Sequence, residues 1–267
     1  MADLIEAVGQ LLREAAATVV LPMYQHLAEA DVREKAPGEL VTVADARAEE
    51  MLATGLRALL PGSAVVGEEG VADDPAQLTR LHDPGPVWLV DPIDGTGNFA
   101  AGRGPFALMV ALLRDGATTS AWILDPLADS LAVAEVGGGA YVDGVRATLD
   151  GDRLAAGALR GAAPTHFMSA RIRASVRDGT PQIGEMLPGH RCVGQEYVDI
   201  VTGRQHFVMF WRTLPWDHAP GALLLDEAGG VVRRLDGTAY DLTDDRLGLL
   251  ACASPAVWDV VHTTLLS

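Results

Sequence analysis

The first part of the chain carries apolar residues at helical spacing. Leu4, Val8 and Leu12 belong to a pattern that predicts one long amphipathic helix over residues 3–30. Pro22 should end or kink this helix at the preceding residue, because proline lacks the amide hydrogen that a helix interior uses.

A second helix is predicted over residues 44–60, where the apolar positions again share one face. Thr42 followed by Asp45 is typical of a capping box, and the Pro-Gly pair after Leu60 is a stop signal. Local spacing therefore accounts for Asp45 as a helix cap and leaves a second role for its carboxylate open.

Short apolar runs separated by turn residues predict a series of strands in the next part of the chain. The runs cover residues 64–66, 87–90, 106–113, 117–124, 130–135 and 141–142. Because the last four follow one another through short turns, they predict sequential hairpins in one large antiparallel sheet. The polar segment 71–85 is predicted to be a mobile surface loop.

After a polar stretch at residues 146–156, strand-like and helix-like patterns alternate. Strands are predicted at 159–163, 191–193, 206–210, 231–232 and 247–252, and helices at 169–177, 196–202, 215–228 and after residue 254. The whole chain is therefore predicted to combine α+β and α/β parts. An N-terminal α+β domain would cover residues 1–148, and a C-terminal α/β domain residues 149–267.

Composition and charge limit the classes of partner. The chain has 267 residues and a net charge of −16, which argues against nucleic-acid binding, since phosphate backbones require basic surfaces. The first six residues do not have the basic start that is typical of a signal peptide, and no apolar run approaches the ~18 residues of a membrane span. Two cysteines give no disulfide framework and are interpreted as buried free thiols in a reducing compartment. We therefore expect a cytoplasmic protein that binds neither nucleic acid nor membrane.

The stretch at residues 88–99 carries the clearest chemical signal. Asp91 and Asp94 stand three residues apart where a buried strand is predicted to end, and Gly95-Thr96-Gly97 follows at once. Crowded carboxylates repel one another unless a cation neutralises them. Glycines beside them allow backbone N–H groups to approach an anion closely. The stretch thus indicates metal-assisted chemistry on a phosphate.

Other acidic residues are candidates to join this pair, although each has an ordinary explanation. Glu68 and Glu69 lie between glycines at a second strand end, where a solvated acidic loop is the alternative. Asp217 lies at a helix start, where an N-cap is the alternative. If Glu68 and Asp217 converge on the pair, four carboxylates could hold two or three Mg²⁺ ions, with waters and a substrate phosphate completing the coordination.

Several linked motifs resemble the inositol monophosphatase family, in the same order along nearly the whole chain. They are Lys35 with Leu40–Asp45, Gly67–Glu69, Asp91–Phe99, Trp216-Asp217 and Glu227–Gly230. The resemblance implies a Mg²⁺-dependent, lithium-sensitive phosphomonoesterase with a layered αβαβα fold, usually a homodimer, acting on a small phosphorylated metabolite.

The resemblance also implies roles for individual residues. The metal ligands would be Glu68, Asp91, Asp94, Asp217 and the backbone carbonyl of Ile93. Thr96, assisted by Asp45, would orient the attacking water, and Glu68 would take part in catalysis through its metal. The N–H groups of Gly95 and Thr96 would hold the phosphate. Lys35 is expected near the site without an assigned role, and Glu69 is expected just behind the ligands.

The chain departs from the inositol-specific members in the region that faces the leaving group. Those members carry a glutamate seven residues before the last metal aspartate, and Phe210 stands there in this sequence. The Gly-Ser-Ala stretch of the family is replaced by Gly194-Gln195-Glu196. A changed leaving-group pocket is the simplest interpretation. The candidates for its lining are Arg191, Glu196, Phe210, Trp211, Arg212 and His218.

The leading hypothesis is therefore Mg²⁺-dependent hydrolysis of an inositol, sugar or polyol phosphate by an activated water. Histidinol phosphate and fructose bisphosphate are included among the substrates. Two alternatives stay open. One is a phosphatase for 3′-phosphorylated adenosine nucleotides, which the low aromatic content of 5% disfavours. The other is a metal-responsive binding protein without turnover.

Overall fold

The computed structural model describes residues 2–36, 38–151, 154–165 and 167–266. Within them the N-terminal half contains helices α1 (Ala2–Ala15), α2 (Leu21–Met23), α3 (Val43–Leu59), α4 (Glu68–Asp73) and α5 (Thr96–Ala100). Its strands are β1 (Val32–Ala36), β2 (Glu39–Thr42), β3 (Ala64–Gly67), β4 (Val87–Asp94), β5 (Ala107–Arg114), β6 (Ala117–Asp125), β7 (Ser130–Glu135), β8 (Gly139–Val142) and β9 (Val145–Ala147).

The C-terminal half contains a second set of alternating elements. Its strands are β10 (Arg160–Ala162), β11 (Glu185–Leu187), β12 (Phe207–Phe210), β13 (Val231–Arg234) and β14 (Leu249–Cys252). Its helices are α6 (Ala170–Gly179), α7 (Val193–Val201), α8 (Pro215–Glu227) and α9 (Pro255–Leu266). Short 3₁₀ helices lie at Glu29–Asp31, Pro75–His82, Ala156–Ala158 and Thr180–Gln182.

The first helix is shorter than its apolar pattern indicates. Helix α1 continues through a π-helical turn, Ala16–Val20, into α2, which ends at Met23. The predicted stop near Pro22 is confirmed within two residues, whereas the predicted extension to residue 30 is wrong. Tyr24 has extended backbone angles (φ −59°, ψ 126°), so the helix cannot continue through it.

The large sheet has seven strands in the order β3-β4-β5-β6-β7-β8-β9. The β3–β4 pair is parallel, and every later pair is antiparallel, which confirms the predicted meander. One face of this sheet packs against α1 and α3 through side chains such as Leu12, Leu52 and Trp122. The alternation of side chains along each strand leaves a second apolar face for the middle of the molecule.

The second sheet has the order β11-β10-β12-β14-β13. Along β12, Val208 and Phe210 face a core shared with the first sheet, α7 and α8, whereas Phe207 and Met209 face α6 and α9. The layers therefore follow one another as helices, sheet, helices, sheet and helices. This confirms the predicted αβαβα architecture.

Two predicted segments differ from the structure. Residues 191–193 are not a strand: Arg191 has a φ of +58°, which an extended chain does not adopt, and Val193 begins α7. The strand of this region is β11 instead. Residues 71–85 are not an irregular loop, because α4 and a 3₁₀ helix run through them and bury Val71 and Leu81.

The predicted domain boundary lies in the stretch between the two sheets. Its range, residues 146–156, includes Asp152 and Arg153, which lie outside the described residues. The division after residue 148 stays a prediction.

Candidate active site

Strand β4 carries the central acidic pair into the molecule. All eight of its residues are buried, and it runs four residues further than the predicted strand, so that it includes Asp91 and Asp94. The pairing of β4 with β5 shifts register between these two aspartates. Both of them line one cleft of about 620 Å³. The irregular strand end therefore brings both carboxylates to the same opening.

Gly95 turns the chain directly after β4. Its φ of +87° lies in the left-handed region, and it is the N-cap of the short helix α5. A Cβ at this position would lie 3.2 Å from the Cβ of Cys192 and 3.2 Å from the carbonyl oxygen of Pro105. Both the backbone angle and the close packing therefore favour glycine. Gly95 and Thr96 both line the cleft.

Asp45 has two roles in this structure. Its Oδ2 accepts hydrogen bonds from the Thr42 N–H (2.9 Å) and hydroxyl (2.6 Å), which confirms the predicted capping box. Its Oδ1 lies 3.1 Å from the hydroxyl of Thr96, whose Oγ1 is also 2.9 Å from the carbonyl oxygen of Ile93. Burial raises the pKa of Asp45 to about 7, although the bonds from Thr42 oppose the shift. Asp45 thus connects a helix cap to the cleft.

Four acidic residues from three elements line the cleft: Glu68 of α4, Asp91 and Asp94 of β4, and Asp217 of α8. Burial raises the pKa of Asp91 and of Asp217, and the negative charge of Glu68 raises both further. In the described part of the chain, no three acidic, histidine or cysteine side chains are already arranged around a common ion position. The four acids therefore line one cleft and influence one another electrostatically, but their side chains are not arranged as a preformed metal site.

The ordinary explanations for two of these acids are wrong. Glu68 begins α4, and its side chain is only 16% exposed, so it is not part of a solvated loop. Asp217 lies in the first turn of α8, and the N-cap position is held by Leu214.

Lys35 and Glu69 form an ion-pair cluster with Glu68. The Lys35 ammonium lies 2.7 Å from Glu68 Oε1 and 2.8 Å from Glu69 Oε1. These carboxylates raise the pKa of Lys35 although burial opposes it. Glu49 in α3, which the sequence did not single out, accepts hydrogen bonds from the N–H groups of Glu69 and Gly70 at 2.8 Å each. Lys35 therefore neutralises part of the acidic charge, and Glu49 anchors the start of α4.

Cys192 supports Asp94 from the other half of the chain. Its thiol donates to Asp94 Oδ2 at 3.1 Å, and the N–H of Gly194 donates to the same oxygen at 2.7 Å. Burial and the charge of Asp94 raise the pKa of this thiol, so it stays protonated. Both cysteines are free and buried, as predicted. The contact with Asp94 carries no local sequence signal, because 98 residues separate the two side chains.

The candidates for the leaving-group side divide into two sets. Arg191, Glu196, Phe210, Trp211 and Arg212 line the cleft. His218 does not line the cleft, so the prediction for it is wrong. It is fully buried, and its Nε2 lies 2.9 Å from the carbonyl oxygen of Arg212. Because a carbonyl only accepts, Nε2 carries the proton, and Nδ1 accepts from the Tyr197 hydroxyl at 3.0 Å. Burial lowers the pKa of His218 to about 4, so the ring is neutral.

Glu196 lines the cleft, but both of its oxygens are engaged inside the protein. Oε1 accepts from the N–H of His190, and Oε2 accepts from the Gln205 side-chain amide at 2.7 Å. Glu196 therefore holds the loop before α7 in place.

The acidic set fits a hard divalent cation by its chemistry. Every side chain in it offers carboxylate oxygen, and Ile93 lines the same cleft. Oxygen donors are the ligands that Mg²⁺ and Ca²⁺ prefer. Asp91 and Asp94 are buried with raised pKa values and have other carboxylates as neighbours, so a cation here would relieve their repulsion. The residues present therefore fit Mg²⁺.

Layered α/β architecture and an oxygen-rich cleft beside a glycine turn are the features of a phosphatase class. The family profile described as "Inositol monophosphatase family" matches residues 1–265, and the chain belongs to this family. Its homologues hydrolyse phosphomonoesters, and this protein is accordingly a phosphoric monoester hydrolase.

Individual relatives agree with this assignment over most of their length. The chain is 28% identical over 249 residues to the inositol-1-monophosphatase of Bacillus subtilis, covering 91% of this chain and 89% of the relative. It is 27% identical over 214 residues to a fructose-1,6-bisphosphatase/inositol-1-monophosphatase of Thermotoga maritima, covering 79% and 78%. It shares its fold with the extragenic suppressor protein suhB of Bartonella henselae, with a TM-score of 0.85, 22% identity and coverage of 99% of each chain.

Proposed function

We propose that this protein hydrolyses a small phosphate monoester with Mg²⁺ as cofactor. One observation carries the proposal: carboxylates from both halves of the chain line the same cleft as Gly95 and Thr96. The ligands for two or three ions would be Glu68, Asp91, Asp94, Asp217 and the carbonyl of Ile93. Bound Mg²⁺ would supply an activated water and compensate charge on the phosphate.

The protein groups around that chemistry have separate tasks. Thr96 would orient the attacking water. Its hydroxyl lies within hydrogen-bond distance of Asp45 Oδ1 and of the carbonyl oxygen of Ile93, which supports this role. A hydroxyl has one hydrogen, so donation to Asp45 leaves a lone pair of Thr96 available to accept from water. The N–H groups of Gly95 and Thr96 would hold the phosphate oxygens. Cys192 and Lys35 keep Asp94 and Glu68 in place.

The first substrates to test are inositol, sugar and polyol phosphates, together with histidinol phosphate and fructose 1,6-bisphosphate. The double name of the Thermotoga maritima relative supports including the last of these. Release of inorganic phosphate should depend on Mg²⁺ and be inhibited by Li⁺. Faster cleavage of a 3′-phosphorylated adenosine nucleotide than of any sugar phosphate would favour the nucleotidase alternative.

A matched pair of variants separates turnover from mere metal binding. Asp217→Asn removes a carboxylate from the cleft and should lower phosphate release by at least about 100-fold. Asp259→Asn changes an exposed aspartate of α9 in the same way and should leave release unchanged. Equal activity of wild type and Asp217→Asn would remove Asp217 from the mechanism. Complete absence of release with every ester would favour the binding-protein alternative.

A homodimer and a cytoplasmic location stay predictions from the family resemblance and the thiol content. Among the described residues, no helix is long and apolar enough to cross a membrane. Light scattering of the purified protein tests the dimer: a mass near twice 28.1 kDa supports it, and a single-chain mass contradicts it.

A further inference from the structure

Part of the lining of the cleft is an apolar and partly aromatic wall. Its apolar side chains belong to separate segments of the C-terminal half and to the β1–β2 hairpin. They include Leu40, Val208, Phe210, Trp211, Leu214 and Leu247. A leaving group attached to a phosphate held at Gly95 would lie against this wall, because both belong to the same cleft.

Phe210 forms a fixed part of the wall. Its ring stacks on Tyr197 with centroids 5.2 Å apart and an interplanar angle of 24°. It also meets the edge of the His218 ring at 4.8 Å. Tyr197 and His218 are fully buried and hydrogen-bonded to each other, so the Phe210 ring is supported from behind. A rigid aromatic surface of this kind binds apolar groups at little entropic cost.

Polar side chains on the same cleft are largely engaged within the protein. The Arg212 guanidinium lies 2.9 Å from Glu39. Both oxygens of Glu196 accept hydrogen bonds from protein groups, as described above. The side-chain amide of Asn98 donates to the carbonyl oxygens of Pro105 and His190. A leaving group with many hydroxyls would therefore lose more hydrogen bonds to water than it regains in the cleft, because the exposed Arg191 guanidinium offers donors only.

We infer that the preferred substrate is the phosphate ester of an alcohol with an apolar or aromatic body, and that Phe210 determines this specificity. The inference rests on the proposed phosphatase function and narrows its substrate class. Arg191 is exposed at the cleft, and its guanidinium only donates hydrogen bonds, so an anionic substituent on such an alcohol would be tolerated there.

Two esters with the same carbon ring test the inference. Cyclohexyl phosphate and myo-inositol 1-phosphate differ by the five free hydroxyls of the inositol ring. The wild-type kcat/KM should be at least about tenfold higher for cyclohexyl phosphate, since desolvated hydroxyls without partners oppose binding of the other ester. Cyclohexanol is the poorer leaving group, so intrinsic reactivity works against this result. 2-Phenylethyl phosphate should be used at least as well as cyclohexyl phosphate.

Variants of the wall identify the residue responsible. Phe210→Gln should lower kcat/KM for cyclohexyl phosphate about tenfold and change that for inositol 1-phosphate by less than about threefold. Phe210→Leu keeps an apolar side chain and should stay within about threefold of wild type for both esters. If the Phe210→Gln variant does not fold, because Phe210 is buried, Leu247→Gln tests the same wall instead. Leu247 is 54% exposed, and its replacement should also lower the ratio between the two esters.

The outcomes separate this inference from the proposed function. Mg²⁺-dependent hydrolysis with equal or better use of inositol 1-phosphate overturns the inference and leaves the phosphatase function standing. An equal loss of both activities in Phe210→Gln and in Leu247→Gln, with Phe210→Leu unaffected, also overturns it. Absence of phosphate release from every ester, 4-nitrophenyl phosphate included, overturns the proposed function and this inference together.

Discussion

At the scale of single residues, Thr96 is the residue on which the proposed chemistry depends most. Its hydroxyl lies within hydrogen-bond distance of both Asp45 Oδ1 and the Ile93 carbonyl oxygen. Either oxygen can accept the threonine hydrogen, but only the Asp45 carboxyl can also take up a proton, and burial raises its pKa to about 7. A buried base with a pKa near the working pH is well suited to proton transfer.

Thr96→Ala should lower kcat by at least about 100-fold, because the alanine variant cannot position a water. Thr96→Ser keeps the hydroxyl and should retain activity within about tenfold of wild type. Phosphate release at saturating substrate and Mg²⁺ measures both values. If the alanine and serine variants are equally active, the hydroxyl has no part in the reaction.

At the scale of elements, helix α8 links the two sheets. Asp217 lies in its first turn, and Glu227 ends it. The Glu227 carboxylate accepts hydrogen bonds from the N–H of Gly137 (2.7 Å), in the turn between β7 and β8, and from the N–H of Gly139 (2.8 Å), the first residue of β8. The last residue of the helix is thereby tied to the first sheet.

Glu227→Gln should lower the free energy of unfolding by about 1–3 kcal/mol, since the amide offers one acceptor instead of two and carries no charge. Denaturant unfolding measures the change. Asp226→Asn alters the neighbouring exposed carboxylate and should stay within about 0.5 kcal/mol of wild type. Similar losses in both variants would show that the contacts with the turn do not stabilise the protein.

The loop before α7 is tied to that helix by a histidine–aspartate pair. His190 Nε2 lies 2.7 Å from Asp199 Oδ2, and Arg204 lies 2.7 Å from the other oxygen. The hydrogen bond with Asp199 raises the pKa of His190. The pKa of Asp199 is lowered. Burial acts to raise it, but the hydrogen bonds from His190, Gln195 and Arg204 lower it by more. The pair is therefore charged on both sides in mildly acidic solution.

A histidine whose pKa is higher in the folded than in the unfolded state stabilises the folded protein when it is protonated. This stabilisation is fully present below the pKa of the unfolded state, about 6.5, and is lost as pH rises through the pKa of the folded state. His190→Gln should therefore destabilise the protein more at pH 5.5 than at pH 8.5, by less than about 1 kcal/mol because the ring is partly exposed. Urea unfolding at the two pH values measures this. His206, whose pKa is lowered by burial, should show the opposite pH trend when replaced. A pH-independent effect of His190→Gln would contradict the prediction.

At the scale of the whole molecule, the acidic cleft is assembled from both halves of the chain. Asp91 belongs to the first sheet, whereas Asp217 comes from the helical layer between the two sheets. Burial and neighbouring negative charge raise the pKa of both carboxylates. The carboxylates therefore repel one another in the folded protein, and a bound cation would relieve this repulsion. Metal binding should therefore stabilise the native state.

Mg²⁺ at about 100 times its dissociation constant should add about 2.7 kcal/mol to stability, and chelation should remove this gain. For a chain of this size the gain amounts to a rise of roughly 5–10 °C in Tm. Thermal unfolding with Mg²⁺ and with a chelator measures it. The rise should be smaller in Asp217→Asn and unchanged in Asp259→Asn. An equal rise in all three proteins would place the metal elsewhere.

Most of the fold follows from local patterns. The helical periodicity of α3, the hairpins of the large sheet and the alternation of strands and helices after it are properties of single segments, and the structure confirms them. The same holds for the acids at the end of β4 and for Gly95, since their spacing is only a few residues. The errors lie where tertiary contacts override a weak local pattern, as at Arg191 and in residues 71–85.

The sequence by itself determined the order of helices and strands, the acidic motifs and the glycine turn, because each depends on residues close together in the chain. The layered arrangement was implied only by the family resemblance. Only the tertiary structure decided how these groups are held. It pairs Lys35 with Glu68 and moves His218 behind Phe210. It also brings Gly194 to Asp94 across 100 residues. Packing of distant segments selects such contacts, and no spacing within one segment encodes them.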